Sequence, residues 1–137
     1  MHYFISCRIT GPPGTPTLTG ISSISHTSAV VSWVEGFHGG FDQTVTIQIS
    51  SDKTKWVDRL KEIRSHLENM VPRHTTITGL LDGTTYYVRM FASNELGDSK
   101  MSEVWNFTTQ GTKNNIMTKR VLHTITWIGY NFTTCLH

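Results

Sequence analysis

Residues 79–97 read GLLDGTTYYVRMFASNELG, and their middle part has an apolar side chain at every second position. The side chains that share one parity are Tyr86, Val88, Met90 and Ala92. Successive side chains of a β-strand point to opposite faces, so a period of two is typical of a strand with one buried face. The stretch therefore predicts a half-buried strand over residues 85–93.

The same period of two occurs upstream, over residues 28–34 and residues 44–50. In the first stretch Ala29, Val31 and Trp33 share one face. In the second stretch Val45, Ile47 and Ile49 share one face. Less regular strands are predicted over residues 18–24, 75–80 and 103–109, separated by turn signals. The chain also has 21 Thr, which favours strands, but only two Ala, the best helix former. These features predict an all-β fold, a seven-stranded antiparallel β-sandwich of immunoglobulin-like type.

Residues 56–71 depart from this pattern, because their apolar side chains recur at steps of three and four. Those side chains belong to Trp56, Leu60, Ile63, Leu67 and Met70. Such spacing makes one apolar stripe on a helix. Two interpretations stay open: a helical turn or two, or a loop with a short helical excursion that Pro72 ends.

Motifs spread over residues 12–110 resemble those of fibronectin type III domains. The matching positions are Pro13, Pro16, Trp33, Leu80, Tyr86, Val88, Met90, Ala92, Asn94, Gly97 and residues 106–109. The resemblance implies a core that includes Trp33, Leu80, Tyr86, Val88 and Ala92. It also implies a tyrosine corner, in which the Tyr86 hydroxyl bonds to backbone a few residues upstream. The long stretch over residues 53–75 departs from the family pattern and leaves the bounds of the third and fourth strands open.

The ends of the chain differ from the middle. The predicted segments are an N-terminal extension over residues 1–11, the fibronectin type III domain over residues 12–110, and a linker with a C-terminal tail over residues 111–137. Residues 121–132 are uncharged and rich in β-branched and aromatic residues, so they form either an extra strand or an unstructured tail, of which the tail is favoured. Cys7 and Cys135 both lie outside the domain, whose fold should stand without them. Residues 1–11 are too short and too polar for a secretory signal, and no apolar run approaches the ~18 residues of a spanning helix.

The sequence predicts no catalytic site, no cofactor and no metal. It contains no His-Glu-x-x-His, Gly-x-Ser-x-Gly or Cys-x-x-Cys motif, and its seven histidines are interpreted as scattered surface residues. All ten acidic residues lie between Glu35 and Glu103, together with eight Lys or Arg. The domain is thus slightly acidic, and it lacks the basic face that would indicate nucleic acid as a partner.

Binding is the function that remains, and loops at one end of such a sandwich cluster in space. Residues 35–42 and 95–102 are the two candidate partner-binding loops. Their candidate residues are Phe37, His38 and Phe41 in the first, and Glu95, Asp98 and Lys100 in the second. Exposed aromatic side chains on a loop suit an interface anchor. The alternative, which is favoured, is that Phe41 folds over the sandwich end and that the second loop carries only solvated turn charges.

Two sequons, at Asn106 and Asn131, are candidate N-glycosylation sites if the protein is secreted. Residues 33–49 are also similar to the type III repeat of nephrin-like immunoglobulin-superfamily adhesion receptors. We therefore expect an extracellular spacer and protein-binding module of a cell-adhesion or receptor protein, which meets the cell membrane only through other parts of that protein. Its partners would be cell-surface or matrix proteins. The rival hypothesis is an intracellular structural module of a muscle or cytoskeletal protein.

Overall fold

The computed structural model of the chain describes residues 9–68 and 70–111. Its strands are β1 (Thr17–Ser22), β2 (Ala29–Val34), β3 (Gln43–Ser50), β4 (Val57–Arg64), β5 (Pro72–Ile77), β6 (Thr85–Asn94), β7 (Gly97–Asp98) and β8 (Trp105–Thr108). One sheet has the order β1-β2-β5 and the other the order β4-β3-β6-β7, with β8 also paired to β6. All pairings are antiparallel, so the predicted β-sandwich is confirmed, with the two-residue β7 added to the seven strands expected. The described ranges contain no helix that could cross a membrane.

The core lies between the sheets and is built mainly from one face each of β2, β3 and β6. The alternation predicted for these strands is confirmed, because the inward side chains are at most 8% exposed. They are Ala29, Val31, Trp33, Val45, Ile47, Ile49, Tyr86, Val88, Met90 and Ala92. Burial of a large apolar side chain contributes roughly 1.5–3 kcal/mol, so these three strands supply much of the favourable free energy of folding.

Two side-chain hydroxyls stabilise the turn before β6. The Tyr86 hydroxyl accepts a hydrogen bond from the backbone N–H of Leu81 at 3.0 Å. The Thr109 hydroxyl donates to the carbonyl of Leu81 at 2.6 Å and accepts from the N–H of Thr84 at 2.9 Å. Leu80, in the same turn, is buried in the core. Because backbone groups beside a core need partners, these bonds allow the turn to close over the apolar side chains.

The stretch over residues 56–71 is mainly an edge strand, so neither interpretation of it as helical turns or a loop is correct. β4 (Val57–Arg64) pairs with β3, and the register shifts once along this pair. A bulge at Arg59 adds one residue to β4, so Val57 and Leu60 pair with β3 residues that are two apart. The apolar stripe of the sequence joins two faces of β4, because Leu60 packs against the core whereas Ile63 is 74% exposed on the other face.

Other strand bounds differ from the predictions by a few residues. β5 begins at Pro72 rather than residue 75, because an edge strand tolerates a proline that cannot donate a ladder hydrogen bond. β1 ends at Ser22, and the next residue, Ser23, has a φ of 47° that does not continue a strand. β8 occupies only Trp105–Thr108.

Replacing Tyr86 with Phe removes the hydroxyl and leaves the N–H of Leu81 without its acceptor. We expect the free energy of unfolding to fall by about 1–2 kcal/mol, as measured by urea denaturation at neutral pH. The control is Tyr87→Phe, because Tyr87 lies on the opposite face of β6, and we expect a change within about 0.5 kcal/mol. Equal losses in the two variants would contradict the role assigned to the Tyr86 hydroxyl.

Candidate binding surface at one end of the sandwich

Three strand connections and the N-terminal segment meet at one end of the sandwich. The start of β3 lies beside the ends of β4 and β6, and the end of β2 lies beside the start of β5. The connections that follow β2, β4 and β6 therefore leave the sheets at the same end. We call this surface the loop end; it comprises residues 9–16, 35–42, 65–68, 70–71 and 95–96.

The Asn94 side chain joins three parts of the loop end. Its amide nitrogen donates to the carbonyl of Gly11 at 2.8 Å and to the carbonyl of His38 at 3.0 Å. Its amide oxygen accepts from the N–H of Leu96 at 2.8 Å. One partly buried side chain thus connects the N-terminal segment, the β2–β3 connection and the β6–β7 turn.

The N-terminal segment also bonds directly to the β2–β3 connection. The N–H of Gly11 donates to the carbonyl of Gly39 at 3.1 Å, and the N–H of Gly14 donates to the carbonyl of Phe37 at 2.7 Å. Gly39 has a φ of 75°, and a Cβ there would overlap the carbonyl oxygen of Gly11. Both constraints require glycine, so the path of this connection depends on Gly39.

A network of charges ties the β4–β5 connection to the end of β2. The Glu35 side chain is only 5% exposed, and its Oε1 lies 3.0 Å from Nε of Arg64 and 3.6 Å from Nε of Arg73. These two contacts are ion pairs rather than aligned hydrogen bonds. Glu68 lies 3.0 Å from Arg73, and Glu62 lies 2.6 Å from Arg64. A buried carboxylate needs close cationic partners, so Glu35 holds both arginines, and Arg73 in turn holds Glu68 and its connection.

Two histidines and a phenylalanine form a row of rings across the loop end. Nδ1 of His66 lies 2.6 Å from Oδ1 of Asp42, which also accepts from the backbone N–H of His66 at 2.9 Å. Nδ1 of His38 accepts from the N–H of Gly40 at 2.8 Å. The His38 ring centroid lies 5.9 Å from that of His66 and 4.8 Å from that of Phe37. The row therefore joins two different connections through side chains alone.

The hydrogen bond from the His66 backbone N–H, followed by the one from its side chain, lowers the pKa of Asp42 below its usual value. A lowered carboxyl pKa contributes stability that is present above about pH 4 and is lost as the pH falls through the lowered value. Asp42 is exposed, so water screens most of this contribution. Because its pKa is lowered, Asp42 stays ionised throughout the pH range in which histidines titrate.

The loop end exposes several large apolar side chains. They belong to Ile9, Phe37, Leu67, Met70, Val71 and Leu96. Leu67 is the most exposed at 82%, and Phe37 is 46% exposed. At the opposite end of the sandwich the exposed large apolar side chains of the described residues are Val57 and Leu81. Of the eleven exposed large apolar side chains in the described residues, six therefore lie at the loop end.

The sequence-predicted loop residues occupy different environments. Phe41 is half-buried and lines a recess of about 390 Å³ together with Asp42, His66 and Glu95. Of the other predicted loop residues, Phe37 is exposed and His38 is half-buried. Asp98 and Lys100 are exposed and lie farther along the chain, between β6 and β8. Within residues 9–68 and 70–111, no group of three or more His, Cys, Asp or Glu could hold a metal ion.

Sequence reasoning missed the contribution of the β4–β5 connection, namely His66, Leu67 and Glu68. The stretch was interpreted as helix or loop, which placed none of these side chains at the loop end. A signal was nevertheless present, because β4 is densely charged and charged side chains are typical of exposed edge strands.

Of the two candidate glycosylation residues, Asn106 is exposed on β8, and the next residue, Phe107, is buried. Asn131 lies outside the described residues. The same is true of Cys7, Cys135 and the strand or tail predicted over residues 121–132.

Comparisons with known proteins identify both a family and a fold. The family model described as Purple acid Phosphatase, N-terminal domain, matches residues 16–109. The crystal structure of the chicken CNTN1 FN1–FN3 domains is 26% identical, with a TM-score of 0.60, over 74% of this chain and 34% of that chain. The 6th fibronectin type III domain of human fibronectin type III domain containing protein 3 is 22% identical, with a TM-score of 0.57, over 76% and 91% of the two chains. The sensor domain of the anti-sigma factor RsgI4 from Pseudobacteroides cellulosolvens is 17% identical, with a TM-score of 0.57, over 70% and 74%.

These likenesses confirm the resemblance to fibronectin type III domains that the motifs indicated. The human and bacterial structures, at their lower identities, show the fold alone. The phosphatase family was not indicated by the motifs, which belong to the sandwich framework and not to a catalytic site.

Replacing Asn94 with Asp removes the two donated hydrogen bonds but keeps an oxygen for the N–H of Leu96. We expect the free energy of unfolding to fall by about 2–3 kcal/mol, because a carboxylate would face two carbonyl oxygens. Amide hydrogen exchange should accelerate at Gly11 and Gly14 while Leu96 stays protected. Asn106→Asp on the exposed face of β8 is the matched control and should change stability by less than about 0.5 kcal/mol. Unchanged exchange at Gly11 in Asn94→Asp would contradict the linking role of Asn94.

Proposed function

This chain belongs to the family of purple acid phosphatase N-terminal domains, and from that premise we propose that it is a non-catalytic module of a longer extracellular protein. The module spaces its neighbours and binds another protein through the loop end. The observation that carries the proposal is the set of exposed apolar side chains on connections that are firmly held in place.

The likeness to fibronectin type III domains supports the non-catalytic part of the proposal. The family is named for the N-terminal domain of a phosphatase, and the solved structures that resemble it include several fibronectin type III domains. A fold of this type does not specify a function by itself, so the role has to come from its loops.

The loop end has the features of an interface anchor. Phe37, Leu67 and Leu96 project apolar surface from three different segments. The bonds of Asn94 and the ion pairs of Glu35 hold these segments in position. Side chains that are already ordered lose less conformational entropy on binding, so such a surface binds more tightly than the same side chains on a free loop.

Charge indicates the chemistry of the partner. Glu95 is exposed and has no ion pair within the described residues, whereas Asp42 is engaged by His66, and Arg64 and Arg73 are engaged by carboxylates. A complementary protein surface would therefore present apolar side chains flanked by Lys or Arg.

The course of the chain suits a spacer. The N-terminal segment lies at the loop end, whereas Gln110 bonds to Ser25 and Gly83 at the opposite end, at 3.1 Å and 3.0 Å. An eight-residue strand such as β3 spans roughly 27 Å. Domains attached before and after this one would be separated by about that length.

The binding role is tested by screening the full chain against an array of purified cell-surface and matrix proteins. We expect a partner whose affinity falls at least tenfold with Leu67→Ser or Phe37→Ser, because each removes exposed apolar area from the centre of the interface. The matched control is Leu81→Ser, since Leu81 is 69% exposed at the opposite end. Binding that is lost equally with Leu81→Ser, or the absence of any partner, would refute the proposal.

The extracellular setting is tested by expressing the chain behind a secretory signal. We expect a folded, secreted protein that loses mass on treatment with an N-glycosidase, because Asn106 is exposed in a sequon. Asn106→Gln and Asn131→Gln, made separately and together, assign the glycan to its site. Retention of misfolded protein, together with efficient folding in the cytosol, would favour the intracellular structural module instead.

A further inference from the structure

We propose that His38 and His66 make the loop end sensitive to protons, so that its neutral-pH arrangement is released on acidification. This inference concerns the regulation of the surface and goes beyond its proposed role in binding. It follows from the different hydrogen-bonding roles of the two rings.

His38 can keep its present contact only while Nδ1 carries no proton. A backbone N–H can only donate, so Nδ1 of His38 must be the acceptor of the 2.8 Å bond from Gly40. Protonation of the ring turns Nδ1 into a donor and abolishes this bond. Gly40 has a φ of 89°, so its peptide group belongs to an unusual turn that the ring helps to hold.

His66 has the opposite role. Its Nδ1 faces the carboxylate of Asp42 at 2.6 Å and must donate to it, so protonation of the ring strengthens the contact. Asp42 also accepts from the His66 backbone N–H and stays ionised at these pH values. The first proton taken up by the pair therefore stabilises the link between the β2–β3 and β4–β5 connections.

The second proton would go to His38, whose ring is bonded to the Gly40 N–H and to no carboxylate of the described residues. It would place a second imidazolium with its ring centroid 5.9 Å from the first, while Asp42 is already engaged by His66. Apart from Asp42, the other carboxylate that lines the recess is that of Glu95, which follows β6, and Glu68 comes two residues after His66 in the β4–β5 connection. Glu68 is paired with the arginines, which leaves Glu95 as the one carboxylate lining the recess that is not ion-paired to a residue of the described chain.

Release of His38 would alter the exposed surface. The Phe37 ring packs on the His38 ring at 4.8 Å, so both rings move together if the Gly40 bond is lost. Asn94 still holds the His38 carbonyl, so the change stays confined to the side chains and the turn at residues 39–40. The loop end would then present a different aromatic surface at acidic pH.

The test follows the full chain by nuclear magnetic resonance between pH 8 and pH 5. We expect the protection of the Gly40 amide, corrected for the intrinsic exchange rate, to fall about tenfold on acidification, with a matching change at the Phe37 ring. Equal protection of Gly40 at pH 7.5 and pH 5 would overturn the proposal.

Three variants separate the two roles. His38→Asn supplies an amide oxygen that accepts from Gly40 at any pH, so the Gly40 step should vanish. His66→Asn removes the neighbouring cation and frees Asp42, so the Gly40 step should move to higher pH. His26→Asn, at an exposed position outside the loop end, is the control and should leave the step unchanged. A Gly40 step that persists in His38→Asn, or that does not move in His66→Asn, would overturn the proposal, and neither result depends on finding a binding partner.

Discussion

The complete burial of the Trp33 indole is the constraint on which the rest of this sandwich depends. Trp33 lies directly opposite Leu18 on one neighbouring strand and Arg73 on the other, and residues paired in this way share a face. Turning the indole inward therefore turns Arg73 inward as well, at the edge of the smaller sheet. Glu35, two residues after Trp33, points to the same side and meets that arginine. The inward position of the Glu35–Arg73 ion pair is thus a direct consequence of burying the tryptophan.

This arrangement explains how exposed apolar side chains can stand on ordered connections. Glu35 also meets Arg64 from the larger sheet, and Glu68 meets Arg73, so the connection after β4 is attached to both sheets. Replacing such a network with apolar residues is often neutral or stabilising, which means that the ions are better explained by the geometry they impose than by added stability. The geometry in this case is a fixed position for the segment that carries Leu67.

A strand could be predicted from the sequence where its apolar side chains recur at every second position along its whole length. β2, β3 and β6 alternate without interruption, and their inward faces were predicted residue by residue. β4 was not recognised, because Glu62 and Arg64 share the face of Leu60 while Ile63 is exposed on the other face, so its apolar side chains do not alternate. The contact of His66 with Asp42 joins residues 24 apart, and no local pattern reports such a distance. The loop aromatic residues could be selected from the sequence, but their partner in the β4–β5 connection, His66, could not.

The strands form the framework of the domain and the loop end forms its candidate binding surface. The family match and the proposed function therefore depend on different residues. The family match covers residues 16–109, which contain all eight described strands and the turn that the Tyr86 hydroxyl bond stabilises. Phe37, His38 and His66 contribute little to that framework, since all three lie in connections outside the strands and none belongs to the core cluster. They are therefore free to vary without unfolding the domain, which is the condition under which a surface can acquire specificity. Asn94 links the two sets, because a single side chain at the end of a core strand positions the connection that carries Phe37 and His38.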